Sequence, residues 1–162
     1  MRHTIQKQPQ QGLEMRMHWI IPIEIKSGNK IIGRHWSSKA HYNKKIMDAT
    51  YWEMLKDKDQ RRNDCYAIVT VSRVLSKGQK LFDDDNLSWG FKPVFDCLKN
   101  TGWIKDDNPK WIKRGYKQVR GDQAGFIIEI EYVSSPCTCK DNKENCYDFP
   151  YPKLEIPGAE EI

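Results

Sequence analysis

Strand-like and helix-like stretches follow one another along the first 133 residues of this chain without the regular βαβ repetition of a doubly wound sheet. The run Met15 to Ile25 (MRMHWIIPIEI), rich in β-branched and aromatic residues, predicts a first strand, and Pro22 assigns it to an edge or a bulge. Lys26 to Trp36, with Gly28, Asn29 and Gly33, reads as a loop. Ser37 or Ser38 then caps a helix in which Ile46, Met47, Tyr51, Met54 and Leu55 recur at helical spacing, ending near Arg61. Cys65 to Leu75 has strand composition, and SKGQK after it is a turn or loop. A second helix carries Val94, Phe95, Leu98 and Lys99 and stops at Gly102. Pro93 suits a first helical turn and not a helix interior, which makes residues 86 to 91 a separate turn or a kinked extension. Two closing strands, Trp111 to Arg120 and Phe126 to Val133, are joined by GDQAG as a hairpin. This order predicts an α+β fold: a single two-layer domain with a mixed or antiparallel sheet of about four strands and two main helices.

With 162 residues there is room for one domain, and a hydrophobic fraction of 38% is enough to fill its core. The expected division is a frayed, Gln-rich segment at 1–14, the domain at 15–133, and an extension at 134–162 marked by Pro136, Pro150, Pro152 and Pro157. No apolar run approaches the roughly 20 residues of a membrane helix. The start, MRHTIQKQPQQG, lacks the apolar stretch of a secretory signal, so the expected location is the cytoplasm. Cys65 and Cys97 lie in apolar contexts and read as small core residues. Cys137, Cys139 and Cys146 form C-x-C-x6-C without a nearby His, one ligand short of a closed zinc site. Residues 134–162 hold three Lys against six acids, which leaves 24 basic and 16 acidic side chains, a balance of +8, in residues 1–133. A basic body that keeps a tight acidic cluster points to a polyanionic partner with a metal ion between the two.

That cluster lies in DDDNLSWGFKPVFDCLKNTGWIKDD, Asp83 to Asp107. On an extended backbone Asp83 and Asp85 point the same way and Asp84 the other. Carboxylates held close together raise one another's pKa, so such a cluster makes most sense around a cation. All-oxygen ligation suits Mg²⁺ or Mn²⁺, whose waters can supply the nucleophile for phosphodiester hydrolysis. The competing reading is a solvated acidic turn that caps a helix. Two features weigh against it. Asp106 and Asp107 follow a helix of about the length needed to carry the chain away and back. Lys92, seven residues after Asp85, is turned about 700° from it on a continuous helix and so shares its face, where it can hold a phosphate or stabilise developing charge.

The segment resembles the RusA-type Holliday junction endonucleases. The likeness rests on D-x-D-N at Asp83, Asp85 and Asn86, K-x-x-x-D at Lys92 and Asp96, L-x-x-x-G at Leu98 and Gly102, and the pair Asp106 and Asp107. Arg34, His35 and Trp36 are similar to the arginine-aromatic stretch that many phage members carry before the first helix. The resemblance spans roughly residues 15–133. It implies a homodimer that nicks four-way DNA junctions symmetrically with Mg²⁺ or Mn²⁺, with Asp83, Asp85 and Asp107 as essential aspartates and metal ligands and Lys92 as the essential lysine. One departure stands out. The family's lysine follows the second aspartate by four residues, whereas Ser88, Trp89 and Gly90 make the gap seven here, moving Lys92 about 4.5 Å farther along the helix. Asp84 and Asp106 remain alternative ligands.

The stretch Lys110 to Arg120 (KWIKRGYKQVR) carries five basic side chains and no acid. Strand alternation puts Ile112, Arg114, Tyr116 and Gln118 on one face and Trp111, Lys113 and Lys117 on the other. With Arg34 and His35, the residues Lys110, Lys113, Arg114 and Lys117 are the expected DNA contacts. The competing functions are a non-catalytic DNA-binding module with structural acids, and a metal nuclease specific for forks or flaps.

Overall fold

Nearly every residue from Tyr66 to Leu75 is buried, on both faces of the strand it forms (β2). A strand so enclosed has to be interior to its sheet, with partners on both edges. In the computed structural model, which describes residues 15–32, 35–133 and 160–161, those partners are β3 (Ile112–Arg120), parallel to β2, and β4 (Gly125–Val133), antiparallel to it. The first strand, β1 (Met15–Ile21), pairs antiparallel with β4 at one edge. A two-residue strand, β5 (Glu160–Glu161), pairs with Val119 and Arg120 at the other, so the sheet order is β1-β4-β2-β3-β5. Arg34, residues 1–14, Cys137, Cys139, Cys146 and the rest of the extension apart from 160–161 lie outside the described residues.

The expected hairpin between the last two long strands is not formed. β3 and β4 flank β2 instead of each other, and residues 121–124 step across the end of β2, a distance of about 10 Å for two strand spacings. Gly121 makes this step close: its N–H donates to the carbonyl of Leu75 at 2.9 Å, and a Cβ there would lie 2.7 Å from Val74 Cγ1. Gly and Asp specify a short link. They do not specify whether it joins neighbours or clears one strand.

Alternation along the strands gives the sheet one apolar face. Met17, Trp19 and Ile21 of β1, Ala67, Val69 and Val71 of β2, Ile112 of β3, and Phe126, Ile128 and Ile130 of β4 meet the helices there. Helix α2 (Trp36–Met54) buries Tyr42, Ile46, Thr50 and Met54. The stripe therefore runs through Thr50, and Tyr51, expected in the core, is exposed. This helix starts one residue before the Ser pair, with His35 as its N-cap, and hands over at Leu55–Gln60 to a 3-10 turn. The expected loop before it contains a short helix, α1 (Gly28–Ile32). The second main helix, α3 (Asp84–Asn100), is continuous through Pro93. An interior proline costs about 3 kcal/mol, but Phe91, Val94, Phe95 and Leu98 are almost fully buried, and at about 1.5–3 kcal/mol each they outweigh it. Cys97 joins them, its thiol pushed up to about 11 by burial, while Cys65 is only half-buried. The result is the α+β, two-layer arrangement, with none of the described helices long and apolar enough to cross a membrane.

Two glycines set α3 against the chain that follows β1. A Cβ on Gly90 would fall 2.6 Å from the carbonyl oxygen of Lys26 and 2.8 Å from Ile25 Cγ2, and one on Gly28 would fall 2.7 Å from Trp89 Cβ. Gly90→Ala tests this seat. Helix propensity alone favours the alanine by about 1 kcal/mol. Overpacking against backbone costs about 1–3 kcal/mol. Urea denaturation is expected to show a net loss of about 1 kcal/mol, and a stabilised variant would contradict the contact.

Candidate functional site

Asp83 precedes α3 as its N-cap. One carboxylate oxygen accepts from the Asn86 N–H and the other from the Asn86 side-chain amide, each at 2.8 Å, and these bonds hold the carboxyl below the usual aspartate range. Asn86 also turns its side-chain oxygen to the N–H of Asn29 at 2.8 Å, tying the start of α3 to α1. Asp84 and Asp85 occupy the first turn and are exposed, where a helix N-terminus favours negative charge. The approach to this turn is clamped from the sheet. Gln118 accepts from the Phe82 N–H at 2.9 Å and donates to the Phe82 carbonyl at 2.8 Å. Arg73, 3% exposed, donates to the Lys80 carbonyl at 2.9 Å and stacks its guanidinium 3.4 Å from the Phe82 ring centroid. Burial lowers the pKa of Arg73, and its Nε has no hydrogen-bond partner among the described residues.

At the far end of α3, Gly102 adopts φ +78°, the Gly102 N–H bonds the Lys99 carbonyl, and the Trp103 N–H bonds the Leu98 carbonyl. These two bonds form a Schellman motif, as the glycine stop predicts. Trp103 and Ile104 then plunge into the core, with Trp103 edge-on to Trp19 at 4.9 Å. The reversal returns Asp106 and Asp107 to the side of α3, where Lys99 Nζ lies 3.5 Å from Asp106 and 3.4 Å from Asp107. Asp107 raises the pKa of Lys99, and the Asp107 N–H, donating at 2.8 Å, lowers that of Asp106. Arg114 of β3 binds Asp107 as well, through its carboxylate at 3.3 Å and through its backbone carbonyl.

Asp107, Arg114, Lys92, Asp96 and Trp89 line one open cleft of about 290 Å³ between α3 and β3. Lys92 lies within it, 5.7 Å from the Trp89 ring, and makes no ion pair among the described residues. Of the expected aspartates only Asp107 reaches this cleft. Asp107 shares the cleft with Ser88, three residues after Asp85, but Asp83 and Asp85 themselves do not line it. Among the described residues no three His, Cys, Asp or Glu side chains converge to hold a metal ion. The donors suit a hard divalent cation, but their spacing does not form a ready site. Asp83 is engaged with Asn86, and Asp107 has Lys99 and Arg114 as counter-ions.

The expected DNA contacts also divide. Arg114 is on the helix side of the sheet, in the cleft. Lys113 and Lys117 alternate to the opposite face, where Lys117 lines a hollow with Arg16, Glu129 and Glu131, across the sheet from Asp107. Lys110 is exposed, its ammonium 5.6 Å from the Trp111 ring. His35 is occupied with its helix, Nδ1 lying 2.9 Å from Ser37 Oγ and accepting from the Ser37 N–H at 3.4 Å. Sequence reasoning missed Lys99 and Trp89. Lys99 follows Lys92 by the same seven-residue interval that separates Lys92 from Asp85, which is the signal for one helical stripe. Nothing in the sequence marks Trp89 as a cleft residue. No family model and no curated protein matches the chain.

The capping geometry has a pH signature. Because the Asp83 carboxyl is held below its ordinary range, its contribution to stability is complete at neutral pH and is lost as pH falls through the lowered value. At pH 7, Asp83→Ala is expected to melt below wild type and Asp83→Asn close to it, since asparagine also caps. The alanine gap should close in acid. Thermal melts of the three proteins across pH 2–7 check this; an alanine variant as stable as wild type at pH 7 would remove Asp83 from the cap.

Proposed function

We propose that this chain is a RusA-like endonuclease that cuts phosphodiester bonds in branched DNA, four-way junctions above all, as a cytoplasmic homodimer with Mg²⁺ or Mn²⁺. The observation that carries the proposal is the cleft beside α3: two carboxylates, Asp96 and Asp107, share it with two cations, Lys92 and Arg114, and the helix that forms its wall begins with three more carboxylates. Cations flanking an acid suit a phosphodiester, whose charge they hold while the acid serves the chemistry. When bound, the divalent ion supplies an activated water. Asp83, Asp85 and Asp107 are the residues that would hold it, and Asp107 would then exchange Lys99 and Arg114 for the ion. Lys92 and Arg114 would bind phosphate. Two copies related by a two-fold axis match the near two-fold symmetry of a four-way junction and supply one cut each.

A specific observation favours a second reading. Asp83 caps α3 and Asp107 is already neutralised by Lys99 and Arg114, as structural acids in a non-catalytic DNA-binding module would be. One assay separates the two. Purified protein is incubated with labelled four-way, forked and linear DNA in Mg²⁺ and in EDTA, beside a supercoiled plasmid that extrudes a junction. The nuclease reading expects junction cleavage in Mg²⁺ alone and paired nicks that linearise the plasmid. It also expects activity to be abolished in Asp83→Asn, Asp85→Asn and Asp107→Asn with binding largely kept, and Lys92→Ala to lower the rate more than the affinity. Tight binding without cleavage in any divalent ion would select the binding module, and fork or flap cutting without junction cutting would move the substrate.

A further inference from the structure

Trp89 is 48% exposed, yet it is not a loose surface ring. Its Cβ lies so near Gly28 that no side chain fits between them, and Asn86, one turn earlier on α3, is bonded to the neighbouring Asn29. The base of the tryptophan is thereby held at Cβ and Cγ, and its indole extends from that anchor into solvent. On one side of it lies the cleft with Asp107 and Arg114. On the other lies a second cleft of about 190 Å³ between α1, α2 and α3, where Lys39 and Asn43 of α2 face α3. Trp89, Lys92 and Asp96 line both, so the two clefts meet at the indole. Lys39, Lys92 and Arg114 are thus distributed along one groove with an aromatic plane in its middle.

We propose that Trp89 is a stacking platform for an unpaired base at the branch point of the DNA, with the flanking phosphates on Lys39 and on Lys92 and Arg114. This rests on the branched-DNA reading and deepens it by naming the feature recognised. An anchored aromatic face between cations suits a nucleobase, because every base has a π-face and its own phosphates lie one step to either side. A continuous duplex keeps its bases stacked and offers none. A branch point releases bases at the lowest cost, so the platform selects branched over linear DNA without reading sequence. The residue belongs to the three (Ser88, Trp89, Gly90) that lengthen the gap between Asp85 and Lys92, and two of them, Trp89 and Gly90, carry the close contact of α3 with Gly28 and Lys26.

The test measures binding without cleavage, by fluorescence anisotropy in Ca²⁺, on a four-way junction and on a linear duplex of equal length. Trp89→Ala is expected to bind the junction about tenfold more weakly, with the duplex affinity unchanged and Trp89→Phe restoring most of the loss. An independent arm needs no variant: a junction carrying 5-iodouracil at the branch point is irradiated with wild-type protein, and the cross-linked peptide should contain Trp89. Equal junction affinity of Trp89→Ala and wild type, equal losses on junction and duplex, or cross-links only elsewhere would overturn the role of Trp89 and leave the nuclease reading standing. Failure of the wild-type protein to prefer the junction over the duplex would overturn both.

Discussion

The approach of α3 to the segment after β1 fixes the rotation of that helix, and the candidate site depends on that rotation. Gly90 lets the helix backbone reach the carbonyl of Lys26, and Gly28 lets the chain reach Trp89. With these contacts made, Leu87, Phe91, Val94 and Leu98 face the sheet, and Asp85, Lys92 and Lys99, at seven-residue intervals, share a stripe on the opposite side. Turning the helix by one residue, about 100°, would bury part of that charged stripe against an apolar sheet and expose Phe91. Neither is affordable, so packing alone orients the groups on which any chemistry depends.

Around Asp107 the balance is looser. Its partners Lys99 and Arg114, like Asp107 itself, have side chains more than a third exposed, and ion pairs in such settings are weak because water and salt screen them. A divalent cation competing for the carboxylate, or a phosphate competing for the cations, therefore displaces little. The same chain is rigid where α3 meets the sheet and exchangeable where Asp107 meets α3. Gln118 and Arg73, which clamp Phe82 just ahead of Asp83, place the start of α3 on the rigid side of that division.

Much of this layout is legible in the sequence. The α+β class, the three long strands after Tyr66, the Gly102 stop and the return of Asp107 beside α3 follow from apolar spacing and from glycine conformation. What the sequence does not carry is neighbour choice. The link 121–124 suits a hairpin as well as a step over β2, and only the need of β2 for two partners decides between them. The basic run of β3 is plain in composition, but β pairing sends Lys113 and Lys117 to one face and Arg114 to the other. Pro93 reads as a boundary because propensity is local, whereas the burial that overrides it comes from residues far along the chain. The acids divide likewise: D-x-D-N shows a cluster, and only the folded chain shows Asp83 committed to Asn86 and Asp107 to two cations.

In the proposed nuclease, the carboxylates at the start of α3 and Asp107 act on one cation, although of Asp83, Asp85 and Asp107 only Asp107 lines the cleft as they stand. Titration of the protein with Mn²⁺, followed by the electron paramagnetic resonance signal of the free ion, addresses it without any DNA. One saturable site per chain is expected, weakened in Asp85→Asn and in Asp107→Asn alike, with Lys99→Ala binding more tightly than wild type because a competitor for Asp107 is gone. Absence of saturable binding, or loss in Asp85→Asn with none in Asp107→Asn, would contradict it.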